Sequence, residues 1–206
     1  MTRAAAPDAA YEHRSFGAPG AERTVFLLRE GVSTLSDPLH DATSRRDVRV
    51  VAIGLTVDDI DDPVAYRGTT PAEATARRIA QFVTEERGDR PVGLVGVATA
   101  GEVAIQVAAL VGAGVDRLAL LAVPRPESEL GRYAVAELLE TITAKTLLMN
   151  ARQDPDAAHA AARWFAERLP SARVEMVPQT SDPESRLVLG EVWERVLSHV
   201  APGTLR

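Results

Sequence analysis

The stretch Pro91–Leu110, PVGLVGVATAGEVAIQVAAL, decides the fold. Its first part, VGLVGV (Val92–Val97), is a short apolar run of the kind that forms a strand buried on both faces. Its last part is apolar nearly all round from about Ala100 to Val111, as a helix packed deep beside a sheet must be. Between them Gly-Val-Ala-Thr-Ala-Gly, Gly96–Gly101, is made almost entirely of small residues. Small side chains permit a sharp reversal from strand to helix, with the apex residue pushed out above the sheet. That apex is Ala98, so the turn has the layout of a nucleophile support and no Ser, Cys or Asp on it.

Outward from this unit the same alternation continues. Val-, Leu- and Ile-rich runs at Thr24–Leu28, Val48–Leu55, Arg117–Val123, Thr146–Asn150 and Ala172–Val177 read as further strands, and YEHRSF near the start reads as a candidate edge strand. Amphipathic segments lie between them. Thr70, Pro71 and Glu73 form a capping box with proline at the first helical position, followed by Ala72, Ala76, Ile79 and Val83 on one face. Asp156 is read as the cap of a helix through AAHAAARWFAERL, and Leu187, Leu189, Val192, Val196 and Val200 define a last helix. DATSRRD and GDRP read as solvated connections. Alternating strands and helices predict an α/β three-layer sandwich: a mostly parallel central sheet with helices on both faces. The expected organisation is a flexible tail over residues 1–20 and one domain over residues 21–206.

Several functions are disfavoured by composition. A net charge of −6 without a Lys/Arg cluster argues against nucleic acid or an anionic membrane as partner. The chain has no cysteine, which excludes disulfides and thiolate chemistry and permits a cytoplasmic setting. No apolar run is long enough to span a bilayer, and the start lacks a signal-peptide pattern. No cofactor is expected: the glycines of Gly93–Gly101 do not spell Gly-x-Gly-x-x-Gly, and no acid follows the next strand to bind a ribose. DDIDDP, Asp58–Pro63, lacks the alternating ligands and glycine of a calcium loop, so no metal site is expected either.

With these segments in place, the chain from about Thr24 to Val200 resembles an α/β-hydrolase, whose nucleophile elbow reads Gly-x-Ser-x-Gly. TVFLLREGVST resembles the strand leading into the oxyanion loop, KTLLMNARQDPDA the strand and loop that carry the acid, and ARVEMVPQTSDPES the last strand and histidine loop. The resemblance implies a degenerate member. Ala98 stands where the serine belongs, and a methyl group cannot attack a carbonyl. No histidine occurs between Val174 and Ser198. Glu30 takes the place of the usual oxyanion-loop histidine, setting a carboxylate beside a site meant to stabilise negative charge. Of the triad only Asp154 remains, with Ser181 and Asp182 in the histidine loop. The lid is minimal or missing, since only Arg125–Ala144 connects the two relevant strands.

The remaining candidates have plainer readings beside the functional ones. Thr99 is displaced by one residue from the reactive position and reads as a helix cap, although the N–H groups there would attract an anion. Asp154 and Asp156 read as turn chemistry. His13, His40, His159 and His199 all fall outside the expected catalytic loop. A small-molecule ligand near the elbow would touch Glu30, Gly31, Val32, Ala98, Thr99 and Asp154. Apolar surface near Tyr133, Val135 and Leu138 would be covered by a second copy.

Three functions follow from the sequence. The first is a pseudo-enzyme serving ligand binding or protein interaction. The second is an ester-type hydrolase with unconventional residues, and the third is a lyase or isomerase using Asp154 or Glu30.

Overall fold

The computed structural model describes residues 12–31, 37–56, 70–151, 155–177 and 186–206. In chain order these form β1 (Glu12–Gly17), β2 (Arg23–Glu30), α1 (Asp37–Ser44), β3 (Val48–Leu55), α2 (Pro71–Arg87), β4 (Val92–Val97) and α3 (Ala100–Val111). Then follow β5 (Val115–Leu121), α4 (Glu129–Thr141), β6 (Lys145–Ala151), α5 (Pro155–Ala166), β7 (Ala172–Val177) and α6 (Arg186–Val200). The strands make one sheet in the order β1-β3-β2-β4-β5-β6-β7. Only β1 runs antiparallel, against β3; every other pairing is parallel.

Both faces of the sheet are covered because its strands are apolar at successive positions. Phe26 and Leu28 of β2 enter a core with Val51 and Ile53 of β3, against Ile79 of α2, Val103 of α3, Leu139 of α4 and Phe165 of α5. Val25 and Leu27 point the other way, joining Val50, Val95 and Met149 under Ala42 of α1 and Val196 and Val200 of α6. The expected three layers are therefore present. The capping box on α2 is also present, with Glu73 N–H donating to Thr70 Oγ1 and Thr70 N–H to the Glu73 carboxylate.

One cation ties the floor of the sheet together. Arg23, at the start of β2, donates through Nε to the Val200 carbonyl at 2.9 Å and through Nη1 to the Pro91 carbonyl at 3.0 Å. Its Nη2 meets Asp116 at 2.5 Å. The planar fork thus joins β2, β4, β5 and the end of α6, a geometry that a lysine could not reproduce.

Four expectations change. The flexible tail expected over residues 1–20 contains β1, Glu12–Gly17, which is the edge strand that YEHRSF offered; such a strand needs backbone pairing more than apolar side chains. The strand read as Arg117–Val123 runs from Val115 to Leu121, since Ala122 leaves the extended region with φ 52°. Asp156 falls inside the first turn of α5, which begins at Pro155, and not at the position preceding it. The DATSRRD connection is half helix, and its Arg46 is buried, donating to Glu194 at 2.8 Å and to Ser198 Oγ at 2.9 Å on α6.

His199 also belongs to the floor. Its Nε2 lies 3.1 Å from the Leu118 carbonyl and 2.9 Å from that of Lys145, so Nε2 carries a proton shared between them. Burial lowers its pKa below the ordinary value; the two carbonyls oppose this and Arg117 and Arg173 add to it. The unfolded chain therefore takes up the second, Nδ1 proton more readily, and stability contributed at neutral pH is lost as pH falls below about 6.5 towards the lowered folded value. Urea titrations from pH 8 down to about 5.5 should show this decline. His199→Gln, which keeps a donor and cannot titrate, should show a shallower one; equal slopes would rule the assignment out.

Candidate functional site

The upper end of the sheet is organised by the β4–α3 turn. Ala98 has φ 51°, a left-handed backbone that alanine enters only under constraint. Three hydrogen bonds hold it there: Ala98 N–H to the Leu121 carbonyl at 2.9 Å, Gly101 N–H to the Ala98 carbonyl at 3.0 Å and Glu102 N–H to the Thr99 carbonyl at 3.2 Å. The flanking glycines make the turn sterically feasible. A Cβ on Gly96 would lie 2.8 Å from the Gly101 Cα and 2.6 Å from the Ala104 Cβ, and one on Gly101 would lie 2.2 Å from Val123 Cγ2. Helix and strand touch where neither residue can carry a side chain, and Ala98 is left exposed above them.

The adjoining β2 brings its end to the same place. Leu28 pairs with Gly96, so Glu30 comes level with Ala98 two residues further on. Gly31 turns the chain with φ 59°, and its N–H is bound to the Leu55 carbonyl at 3.1 Å. Glu30 and Thr99 meet directly: the Thr99 hydroxyl donates a hydrogen bond to the Glu30 carboxylate. Thr99 accordingly makes no side-chain cap on α3, contrary to the sequence reading. A threonine hydroxyl caps a helix from an extended backbone, whereas Thr99 has φ −60° and ψ −33° and is already helical. The Glu30 carboxylate is thus held at the N-terminal end of α3, where the helix dipole favours a negative charge.

A second left-handed alanine, Ala122 at the end of β5, was missed in the sequence. Its N–H donates to the Met149 carbonyl at 2.8 Å, and the turn it makes places buried Val123 over Gly101. The only signal was a small residue closing an apolar run, which many strand ends share.

Four of the proposed pocket residues, Glu30, Gly31, Ala98 and Thr99, therefore lie together. Val32, Asp154, Ser181 and Asp182 lie outside the described residues, as do Asp58–Pro63. His199 is at the far end of the sheet, His13 packs its ring against Phe82 on the β1 side, and His159 is exposed on α5. Among the described residues no group of His, Asp and Glu could hold a metal ion. A groove of about 400 Å³ is lined by Arg125, His159, Arg163 and Trp164, and another of about 470 Å³ lies at the floor between Glu22, Arg49 and Arg90; neither reaches Ala98. Between β5 and β6 the chain forms one helix, α4, on which Val135 is buried in the core and Tyr133 is exposed.

No protein-family model and no curated protein matches the chain. Solved structures do match. An α/β-hydrolase enzyme from the metagenome of lagoon sediments at Mar Chica, Morocco, superposes with TM-score 0.64 at 15% identity, covering 93% of this chain and 96% of its own. A monoacylglycerol lipase from Paleococcus ferrophilus gives 0.65 at 14% identity, over 92% of this chain and 99% of its own. The chain has an α/β-hydrolase fold. A meta-cleavage product hydrolase from Pseudomonas fluorescens IP01, an alanine-for-serine variant complexed with acetates, gives 0.64 at 14% identity, covering 91% and 94%. At these identities the likeness concerns the fold alone. No helix among the described residues is long and apolar enough to cross a membrane.

Two substitutions test the β4–α3 turn. The left-handed backbone costs alanine about 1–2 kcal/mol, and glycine returns roughly 0.4–1 kcal/mol of that as extra freedom in the unfolded chain. Ala98→Gly should therefore raise the unfolding free energy by about 0.5–1 kcal/mol in urea titrations. Gly101→Ala should lower it by about 1–3 kcal/mol through overpacking against Val123. The opposite sign in either would show that the turn is not constrained as described.

Proposed function

We propose that this α/β-hydrolase-fold protein is a pseudo-enzyme: a binding or interaction module without hydrolase chemistry. The observation that carries the reading is the side-chain content of an otherwise complete elbow. The backbone is held in the strained form that displays a nucleophile, yet the displayed group is the Ala98 methyl. Three further features support it. Glu30, bound by Thr99, puts a carboxylate beside the position where acyl-transfer chemistry develops an oxyanion, and like charge there raises the barrier instead of lowering it. The sequence also supplies no histidine from Val174 to Ser198 to serve as general base. Among the described residues the connection between β5 and β6 supplies a single helix and no inserted lid domain, which suits an open surface for a small-molecule ligand or a protein better than a sequestered reaction chamber.

One observation favours a second reading. The Thr99 hydroxyl and Glu30 carboxylate form a polar pair at the elbow, so an ester-type hydrolase with unconventional residues, or a lyase or isomerase using Glu30 or Asp154 as acid or base, has groups to start from. The first reading is preferred because proton abstraction needs a carboxylate shielded from water, and Glu30 is exposed.

The two separate in a panel of short-chain p-nitrophenyl esters and thioesters assayed with the parent protein, Ala98→Ser, Asp154→Ala and Glu30→Gln. All four should remain at the rate of buffer. Parent turnover that disappears in Asp154→Ala or Glu30→Gln would replace the pseudo-enzyme reading with the second one. Turnover in Ala98→Ser alone would mean that a base is present and only the nucleophile is lacking.

A further inference from the structure

Among the described residues β7 pairs only with β6, which leaves one long edge of the sheet open. The direction of its backbone groups follows from one contact. Thr146 N–H donates to the Ser171 carbonyl at 2.8 Å, so in this parallel ladder Ser171, Arg173, Glu175 and Val177 turn their backbone groups towards β6. Ala172, Val174 and Met176 turn theirs outwards. The Met149 carbonyl, which accepts from Ala122 N–H on the opposite side of β6, agrees with this alternation.

Edge strands usually avoid self-association by carrying charges that would repel a second copy. The charges of β7 do the reverse. Arg173 and Glu175 flank Val174 at equal spacing, on the face of the sheet covered by α6, and bind each other at 2.5 Å. If a second β7 lies antiparallel with the two-fold axis at Val174, Arg173 of each copy stands opposite Glu175 of the other. These are the non-hydrogen-bonded positions of an antiparallel pair, where facing side chains are closest. Val174 faces Val174 and Ala172 faces Met176, and these are the residues whose N–H and C=O groups point outwards. Backbone phase, charge and apolar character all agree in this one register. Val174 is 41% exposed, and among the described residues no other exposed large apolar side chain lies in a strand.

We propose that β7 is a self-pairing edge through which two copies of this chain form a dimer with one continuous sheet, centred on Val174. The other edge is poorer for this purpose. Glu12 and Arg14 of β1 are also complementary, but a two-fold axis at His13 aligns only three described residues of the strand. The face near Tyr133 considered from the sequence is weaker too, because Val135 is buried within the subunit.

Sedimentation velocity over a range of protein concentrations tests the proposal. The parent protein should sediment increasingly as a dimer as concentration rises. Val174→Pro removes an outward N–H and leaves the β6 ladder intact, and it should yield a folded monomer with unchanged circular dichroism. Arg173→Glu and Glu175→Arg each set like charges opposite one another, so each alone should be monomeric. Mixed together they should form a heterodimer, and the double exchange within one chain should restore the homodimer. A parent protein monomeric at its highest attainable concentration would overturn the proposal. So would a dimer that survives Val174→Pro and both charge variants.

Discussion

The close approach of α3 to β4 at Gly96 and Gly101 is the constraint on which the upper end of the molecule depends. With no side chain on either residue, the helix starts against the strand that feeds it, and the two connecting residues must reverse the chain at once. Ala98 is driven into a left-handed backbone, Thr99 becomes helical before the helix proper, and its hydroxyl is aimed at Glu30 and away from the cap position. The neighbouring strand copies the pattern. Ala122 turns left-handed at the end of β5 and delivers Val123 onto Gly101, so the contact is sealed from the second side.

The lower end is built on different physics. Arg23 gathers strand starts and the end of α6 around one guanidinium, Arg46 anchors the exit of α1 to α6, and His199 bridges the carbonyls of β5 and β6. Sequestered guanidinium groups held by several acceptors, as in Arg23 and Arg46, fix geometry more than they add stability, since each must first be stripped of water. The molecule thus has a polar, cross-tied floor and a rim shaped by small residues. That division suits a fold whose ligands meet the carboxyl ends of parallel strands.

Much of this was legible in the sequence where period and burial coincide. β3, β4 and β7 have the bounds read from their apolar runs, and the α2 capping box was evident from Thr70, Pro71 and Glu73. The end of β5 was not, because nothing in LLAVP distinguishes an extended alanine from a left-handed one. β1 was half-hidden since EHRSFG holds one large apolar residue, Phe16, and an edge strand held by its backbone leaves little apolar signature. At the site, the position of Ala98 followed from the glycine spacing alone. The partnership of Glu30 with Thr99 joins residues 69 apart, and no local pattern encodes it.

The strained alanine at position 98 has a consequence in the arithmetic of the genetic code. Every alanine codon lies a single base from a serine codon, so mutation continually offers this elbow the residue that the fold elsewhere displays as a nucleophile. Such a serine would arrive on a backbone already bent to present it, beside the Glu30 carboxylate. On the proposed pseudo-enzyme reading it would gain the posture of a catalyst and none of its driving force. On that same reading, recruitment of this scaffold to hydrolysis would require coordinated change at three separated points of the chain, and the geometry of the turn would be the one part needing no revision.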